Sequence, residues 1–212
     1  MSRLMPLSGV AFVVVGLLAV VALGGSTPDT SSTGAEVQSF YADNDVRQAI
    51  AAFVLALSVL FLVLFAVSLA TDAAAAANVR GHSFWPLVTI AGSVLAGVCF
   101  LITAAIHFAL VDAADQGLSG EALEALNSLD GNTWIAYNAG LGVMMLGAAG
   151  VWLTAIRRNV WLGWSALVLG VALFIPFADF VALLLTLVWI LIASVLLFRE
   201  RAAPDAAVAM QA

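Results

Sequence analysis

Long apolar segments alternate with short polar ones along almost the whole chain. A helix needs about 20 apolar residues to cross a bilayer, and the pattern predicts six transmembrane helices at about residues 7–24, 48–70, 85–111, 133–156, 161–175 and 180–198. Little sequence remains for other structure, namely outer loops at 25–47 and 112–132 and a short cytoplasmic tail at 202–212. The pattern therefore predicts one all-α domain, a polytopic bundle of six transmembrane helices.

The last two apolar segments are short, because together they occupy only residues 161–198. A tight turn at 175–179, which contains Pro176, must join them. We expect either a short helical hairpin or two shallow, tilted helices that thin the bilayer locally. The sequence is compatible with both arrangements.

The composition excludes an ordinary soluble domain. Hydrophobic residues make up 64% of the chain and charged residues 9%, with a mean hydropathy of +1.11, whereas soluble domains are about 25% charged. The lipid bilayer is thus the predicted surroundings of the fold. The formal net charge of −6 argues against nucleic acid as a partner, since that needs clustered basic residues.

The arginines predict an orientation. The chain has seven of them and no lysine, and cytoplasmic loops of membrane proteins carry an excess of basic residues. With both termini in the cytoplasm, only Arg47 falls outside. The remaining six fall inside: Arg3, Arg80, Arg157, Arg158, Arg199 and Arg201. Acidic residues show the opposite bias, so the sequence predicts an N-in, C-in protein.

The first apolar segment has a second interpretation. Arg3, a short apolar core and the small residues around Ala22 also fit a cleaved signal peptide. A nearly full spanning length favours an uncut helix, as does the spacing of Gly9 and Gly16, which places both on one face. Cleavage would leave the orientation of the other five predicted helices unchanged.

The first outer loop predicts two kinds of segment. Residues 25–34 are rich in Ser, Thr and Gly, which is typical of a flexible tether. The aromatic pair Phe40 and Tyr41 suits the membrane interface, and Asp43 to Asp45 are able to cap the second helix.

The second outer loop predicts a short amphipathic helix on the outer surface. Leu118, Leu123, Leu126 and Leu129 recur at approximately helical spacing with acidic residues between them. We expect this helix to close the outer end of the bundle. The alternative is a lid or a partner-docking element.

Glycines form spaced pairs on several predicted helices. In lipid, helices associate through close van der Waals contact, which small residues permit. We interpret these glycines as intramolecular packing positions, with homo-oligomerisation as the alternative. The candidate packing residues are Gly9, Gly16, Gly92, Gly140, Gly147, Gly163 and Gly170.

Ionisable residues inside the predicted membrane segments are few, and such residues are costly there and usually functional. His107 lies near the outer end of the third helix, Thr103 four residues before it, and Asp179 in the outer turn of the last hairpin. If the bundle brings them together, His107 and Asp179 form an outward-facing pair able to bind a proton or cation. Alternatively, His107 bonds a helix or headgroup and Asp179 caps the sixth helix.

The sequence lacks the residues that a shared haem or metal site and a Schiff-base cofactor would need. His82 and His107 are predicted on opposite sides of the membrane and so cannot share a haem or metal. Cys99 is the single cysteine, and the lack of lysine removes any Schiff-base cofactor. We therefore expect no cofactor, no metal site and no catalytic residues.

Four segments resemble a group of small uncharacterised membrane proteins common in actinobacteria. Members of that group often carry Pro-Arg where this chain has Asn159-Val160. The resemblance implies the same topology in a high-GC bacterial plasma membrane and no particular activity. The segments that carry it are Phe40-Tyr41-Ala42-Asp43-Asn44 with Arg47, Leu126-Asn127-Ser128-Leu129-Asp130, Trp161-Leu162-Gly163-Trp164, and Leu187-Val188-Trp189-Ile190 with the residues from Ser194 to Arg199.

The sequence as a whole predicts a non-enzymatic plasma-membrane protein, acting as a structural or accessory component with a membrane-protein partner or as a homo-oligomer. The alternative is a small transporter or channel with a polar site near His107 and Asp179.

Overall fold

The computed structural model describes residues 3–77 and 84–209, and these residues form an all-α bundle without strands. Arg80, His82 and the last three residues of the predicted tail lie outside the described residues. The helices are α1 (Met5–Gly24), α2 (Gly34–Asp43), α3 (Asp45–Ala77), α4 (Trp85–Asp115), α5 (Gly120–Asn132), α6 (Trp134–Gly150, continued by the π-helical segment Val151–Ile156), α7 (Val160–Ala172) and α8 (Asp179–Ala209).

Five helical stretches are long and apolar enough to cross a membrane: α1, α3, α4, the stretch Gly120–Ile156 that contains α6, and α8. The fifth predicted helix, at 161–175, corresponds to α7, which is apolar but has only 13 residues. At 1.5 Å per residue α7 covers about 20 Å, less than the roughly 30 Å of a bilayer core. The fold thus has the features of a multi-pass membrane protein.

The two ends of the bundle differ in structure and charge. We call the end that carries α2, α5 and the turn at 173–178 the capped end. The other end, where α6 stops and α8 emerges, carries Arg157, Arg158, Arg199 and Arg201, and we call it the arginine end. Neither end is assigned to a side of the membrane by these features alone.

α4 and α6 approach so closely that their backbones touch. A Cβ atom added to Gly140 would lie 2.5 Å from the Cα of Ala96, and one added to Gly147 would lie 2.8 Å from the Cα of Thr89. Gly92 meets the backbone of Met144 in the same way. Only glycine fits at such positions, because any side chain would displace the partner helix.

The centre of the bundle is filled with apolar side chains. Leu62, Phe65 and Leu69 of α3 are fully buried with Met144 and Met145 of α6. Trp152 and Trp189 meet edge to face, with ring centroids 5.5 Å apart. This core separates the polar groups of the capped end from those of the arginine end.

The capped end has a small hydrophobic core of its own. α2 begins with a capping box, in which Thr33 and Glu36 each accept a hydrogen bond from the other's backbone N–H. The two short helices α2 and α5 pack on the end of α4 and bury Tyr41, Leu110 and Leu123 completely. We call α2 and α5 together the cap.

The structure changes three details of the sequence analysis. Residues 34–43 form a helix, although the sequence predicts a loop there, and Tyr41 is buried in the cap rather than placed at a membrane interface. Gly16 is not closely packed against another helix on the side of its missing side chain, since a Cβ added to it would meet nothing within 4 Å. The predicted amphipathic helix is present as α5, and the predicted tail begins as a continuation of α8.

Candidate functional site

His107 joins α4 to three other helices at the capped end. Its Nδ1 lies 3.0 Å from Oδ2 of Asp130 on α5, and its Nε2 lies 2.8 Å from Oε1 of Gln48 on α3. The ring also packs edge to face against Tyr41 of α2, with centroids 5.5 Å apart. One imidazole therefore ties the cap to the bundle.

Both ring nitrogens of His107 face oxygen acceptors. The amide of Gln48 is held in this orientation because its Nε2 donates to the backbone oxygen of Gly24, 2.9 Å away, and this leaves Oε1 toward the histidine. A neutral imidazole carries one N–H and satisfies one acceptor, whereas the imidazolium carries two and satisfies both. The ring therefore has an acceptor oxygen opposite each nitrogen, one from Asp130 and one from Gln48.

A cavity of about 290 Å³ lies beside this pair. We call it the polar cavity, because several polar side chains are part of its wall. His107, Asp130, Thr103, Thr133 and Tyr137 are among the residues that line it. The second carboxylate oxygen of Asp130, Oδ1, is buried without a hydrogen-bond partner in the structure. Thr103 donates to the backbone oxygen of Cys99 in its own helix at 3.0 Å and forms part of the wall of the cavity.

Tyr41 completes the surroundings of His107 on the cap side. Its side chain is fully buried, and its hydroxyl has no hydrogen-bond partner. Burial raises the pKa of Tyr41 well above its usual value of 10.0, with a smaller contribution in the same direction from the negative charge of Asp130. Tyr41 is therefore neutral over the physiological pH range.

Asp179 lies in a second, larger cavity and has no hydrogen bond or ion pair with His107. The carboxylate is buried, with 6% of the residue exposed, and its recorded bond is a long one of 3.4 Å from Nδ2 of Asn138 on α6. The sequence analysis considered a His107–Asp179 pair, but the carboxylate beside His107 is that of Asp130.

The larger cavity has a volume of about 760 Å³ and is almost entirely apolar. It lies between α1, α3, α4, α6 and α8. Phe12, Gly16, Val20 and Leu55 line it on one side, and Leu184 is among its residues on α8. It shares Val20, Leu55, Phe100, Trp134 and Tyr137 with the polar cavity, so the two are neighbours across one wall.

The arginine end holds a separate charged cluster. Arg201 of α8 donates to Asp72 of α3 through Nη2 at 2.7 Å and through Nε at 3.1 Å, and it also bonds Ser68. Arg158 lies 3.4 Å from Glu200 in a more exposed pair. The Arg201 contacts join α3 to α8, and the Arg158–Glu200 pair joins the connection between α6 and α7 to α8.

The candidate packing glycines occupy different surroundings. Gly92, Gly140 and Gly147 face the backbone of a neighbouring helix. The surroundings of the remaining four candidate glycines differ from one to the next. Gly9 faces Ser194, Phe65 and Ile190, Gly163 faces Leu153, Gly170 faces Leu146, and Gly16 lines the larger cavity.

In comparisons with known proteins, no family model, curated protein or solved structure matches the chain. Fold and site define an all-α protein with several helices that are long and apolar enough to cross a membrane, and with two adjacent cavities at one end. The resemblance to small actinobacterial membrane proteins stays a prediction.

Proposed function

We propose that this chain is a six-helix plasma-membrane protein with both termini in the cytoplasm, and that it serves as a non-enzymatic accessory component that binds a proton at His107 on the outer side. The observation that carries the proposal is the placement of both His107 nitrogens against acceptor oxygens of Asp130 and Gln48. Tyr137 of α6 and Tyr41 of α2 are the other titratable groups around that ring.

The charge of the two ends supports the orientation. Five of the arginines that the structure describes lie at the arginine end, Arg3 among them, whereas the cap and its loops carry mainly acidic residues. Basic residues are retained on the cytoplasmic side of membrane proteins, and this favours an outer position for the cap. In this arrangement α7 is the fifth of six membrane helices and crosses a locally thinned part of the bilayer, as its 13 residues require.

The closed centre of the bundle supports an accessory role over transport. Fully buried apolar residues fill the space between the cavities of the capped end and the charged cluster around Asp72. Backbone contact between α4 and α6 leaves no room for a path between those helices. A protein of this kind can bind protons and a ligand from one side without conducting them.

Nitrogen NMR of the His107 ring tests the proton site directly. A His82→Gln variant leaves His107 as the only histidine, and its ring nitrogen shifts report whether one or both nitrogens carry a proton. We expect a smaller doubly protonated fraction in Gln48→Leu than in the wild-type protein at the same pH, because the substitution removes the oxygen that accepts from one ring N–H. Equal fractions in the two proteins would overturn the proposal.

Transport is the second candidate, and the shared wall between the polar and apolar cavities favours it. Movement of Trp134 or Tyr137, which line both cavities, would join them into one space. Proteoliposomes with an imposed pH gradient distinguish the candidates. Proton uptake that His107→Ala abolishes would establish transport, and no flux above that of protein-free liposomes supports the accessory role.

The accessory role also requires a partner. The exposed face of α5, which includes Glu121, Ala125 and Leu129, is available for a membrane-protein partner or for a second copy of the chain. Native mass spectrometry after release in mild detergent distinguishes these. A stoichiometric second polypeptide or a homodimer supports the proposal, and a monomer in every condition contradicts it.

A further inference from the structure

Asp179 does not have the contacts of a helix cap. It is the first residue of α8, one position after the N-cap Ala178, and a carboxylate at this end of a helix can accept hydrogen bonds from backbone N–H groups of the first turn. Those residues are described in the structure, and the side chain accepts its bond from Asn138 instead, at a distance of 3.4 Å. A carboxylate that is nine-tenths buried is thus left with one weak donor.

The surroundings of Asp179 are apolar and open on one side. Phe177, Phe180 and Leu184 beside it line the larger cavity and are 99%, 66% and 46% exposed in the isolated chain. On the opposite side of the cavity, Val20 and Val21 of α1 are exposed as well. The cavity therefore opens between α1 and α8, toward the surface that faces lipid in a membrane.

The electrostatics of this end favour a positively charged ligand. A buried carboxylate gains stability from a cationic partner that also donates hydrogen bonds, and no ion pair of Asp179 is recorded among the described residues. The capped end carries an excess of acidic residues, which attracts cations to it. Trp134 and Tyr137 also line the cavity, and aromatic rings bind ammonium groups through their faces.

We propose that the cavity between α1 and α8 binds a single-chain lipophilic amine, with its ammonium group at Asp179 and its hydrocarbon chain among Gly16, Leu17 and Leu184. The volume of about 760 Å³ lies within the range of roughly 300–1,000 Å³ that is typical of small-molecule sites. The inference uses the membrane placement proposed above but is independent of proton binding at His107.

A membrane phospholipid is a poorer occupant of the polar end. Its phosphate would bring a negative charge beside Asp179, and like charges at close range are unfavourable. A lipophilic amine has a hydrocarbon chain but no phosphate. The charge of the headgroup therefore distinguishes the two candidate ligands.

Equilibrium binding of radiolabelled dodecylamine to the protein in nanodiscs tests the proposal, with empty nanodiscs subtracted for partitioning into lipid. Dodecanol and dodecanoate are the neutral and anionic probes of equal chain length. We expect dodecylamine to bind most tightly, and Asp179→Asn to weaken it about ten-fold, the effect of losing one charge-assisted contact. Asp112→Asn, the same change at an exposed acid of α4, should leave binding unchanged.

A second variant tests the cavity without changing any charge. Gly16→Leu places a side chain where an added Cβ meets nothing within 4 Å, and it should reduce the binding of dodecylamine and dodecanol alike. Equal affinity of the wild-type protein for dodecylamine and dodecanol, or an unchanged affinity in Asp179→Asn, would overturn the amine assignment and indicate an apolar groove filled by membrane lipid. The wild-type comparison decides this even if the variants fold poorly. Failure here leaves the His107 NMR result unaffected, so the two proposals fail separately.

Discussion

Oδ2 of Asp130 lies 3.0 Å from Nδ1 of His107, and this pair connects the last turn of α5 to α4. Both side chains are about 85% buried, since their exposed fractions are 15% and 13%. A bond between partly buried charged groups is stronger than a surface ion pair. The pair thus adds a buried polar attachment to the hydrophobic core that packs the cap on α4.

Asp130→Asn should loosen the cap. The change keeps the shape and one acceptor oxygen but removes the negative charge, so we expect a loss of roughly 1–3 kcal/mol, the usual value of a hydrogen bond to a charged group. Hydrogen–deuterium exchange of α5 should accelerate, while exchange in the centre of α3 stays constant. Asp112→Asn is the control, because Asp112 is exposed and bonds only the neighbouring Gln116. Equal exchange rates in the two variants would refute a role for the pair.

The sequence predicted the five long apolar helices well because their signal is local. Each of them is a continuous apolar run, and the structure extends α3, which reaches from Asp45 to Ala77, whereas α7 ends at Ala172, before the end of the run predicted at 161–175. The apolar runs do not determine how the bundle is oriented in a membrane or whether α7 crosses it. Both depend on interactions between the protein and the bilayer.

The candidate site was predicted only in part. His107 and Asp179 stood out because ionisable residues are rare in apolar segments, but their partners could not be identified. Gln48 is 59 positions from His107, and Asn138 is 41 positions from Asp179. Such contacts are set by how α3, α4, α6 and α8 pack, and neither periodicity nor composition reports that packing.

Tyr41→Phe should be neutral or stabilising and should protect the cap from alkali. The tyrosine hydroxyl is buried without a partner, and removing an unsatisfied buried group gains up to about 1–3 kcal/mol. Because the folded pKa of Tyr41 is raised above 10.0, the unfolded chain loses its proton first. The contribution of this pKa difference to the free energy of unfolding of the wild-type protein is therefore fully present below about pH 10 and decreases as the pH rises above it.

Thermal unfolding of the wild-type protein and Tyr41→Phe at neutral pH and at about pH 11 checks this. The difference between the two proteins should grow with pH in favour of the variant. A constant difference across this range would show that Tyr41 ionises equally in the folded and unfolded states.

Gly140→Ala should destabilise the bundle far more than Gly16→Ala. The first change places a methyl group 2.5 Å from the Cα of Ala96, so α4 and α6 must separate, whereas the second meets nothing within 4 Å. Overpacking of this kind typically costs about 1–3 kcal/mol. The midpoint of thermal unfolding in detergent measures the difference, and equal midpoints would show that α4 and α6 are not packed backbone to backbone.

The proposed orientation predicts which end of the bundle is accessible from outside the cell. In a Cys99→Ala background, a cysteine at Ala125 of α5 should react with a membrane-impermeant maleimide in intact cells, since Ala125 is exposed on the cap. A cysteine at Val160, which is 45% exposed at the arginine end, should react only after the membrane is permeabilised. The positive-inside bias is the physical reason, because the membrane potential and anionic lipids hold arginines on the cytoplasmic side. Labelling with the opposite pattern would place His107 and both cavities on the cytoplasmic side, and the ligands they bind would then have to come from inside the cell.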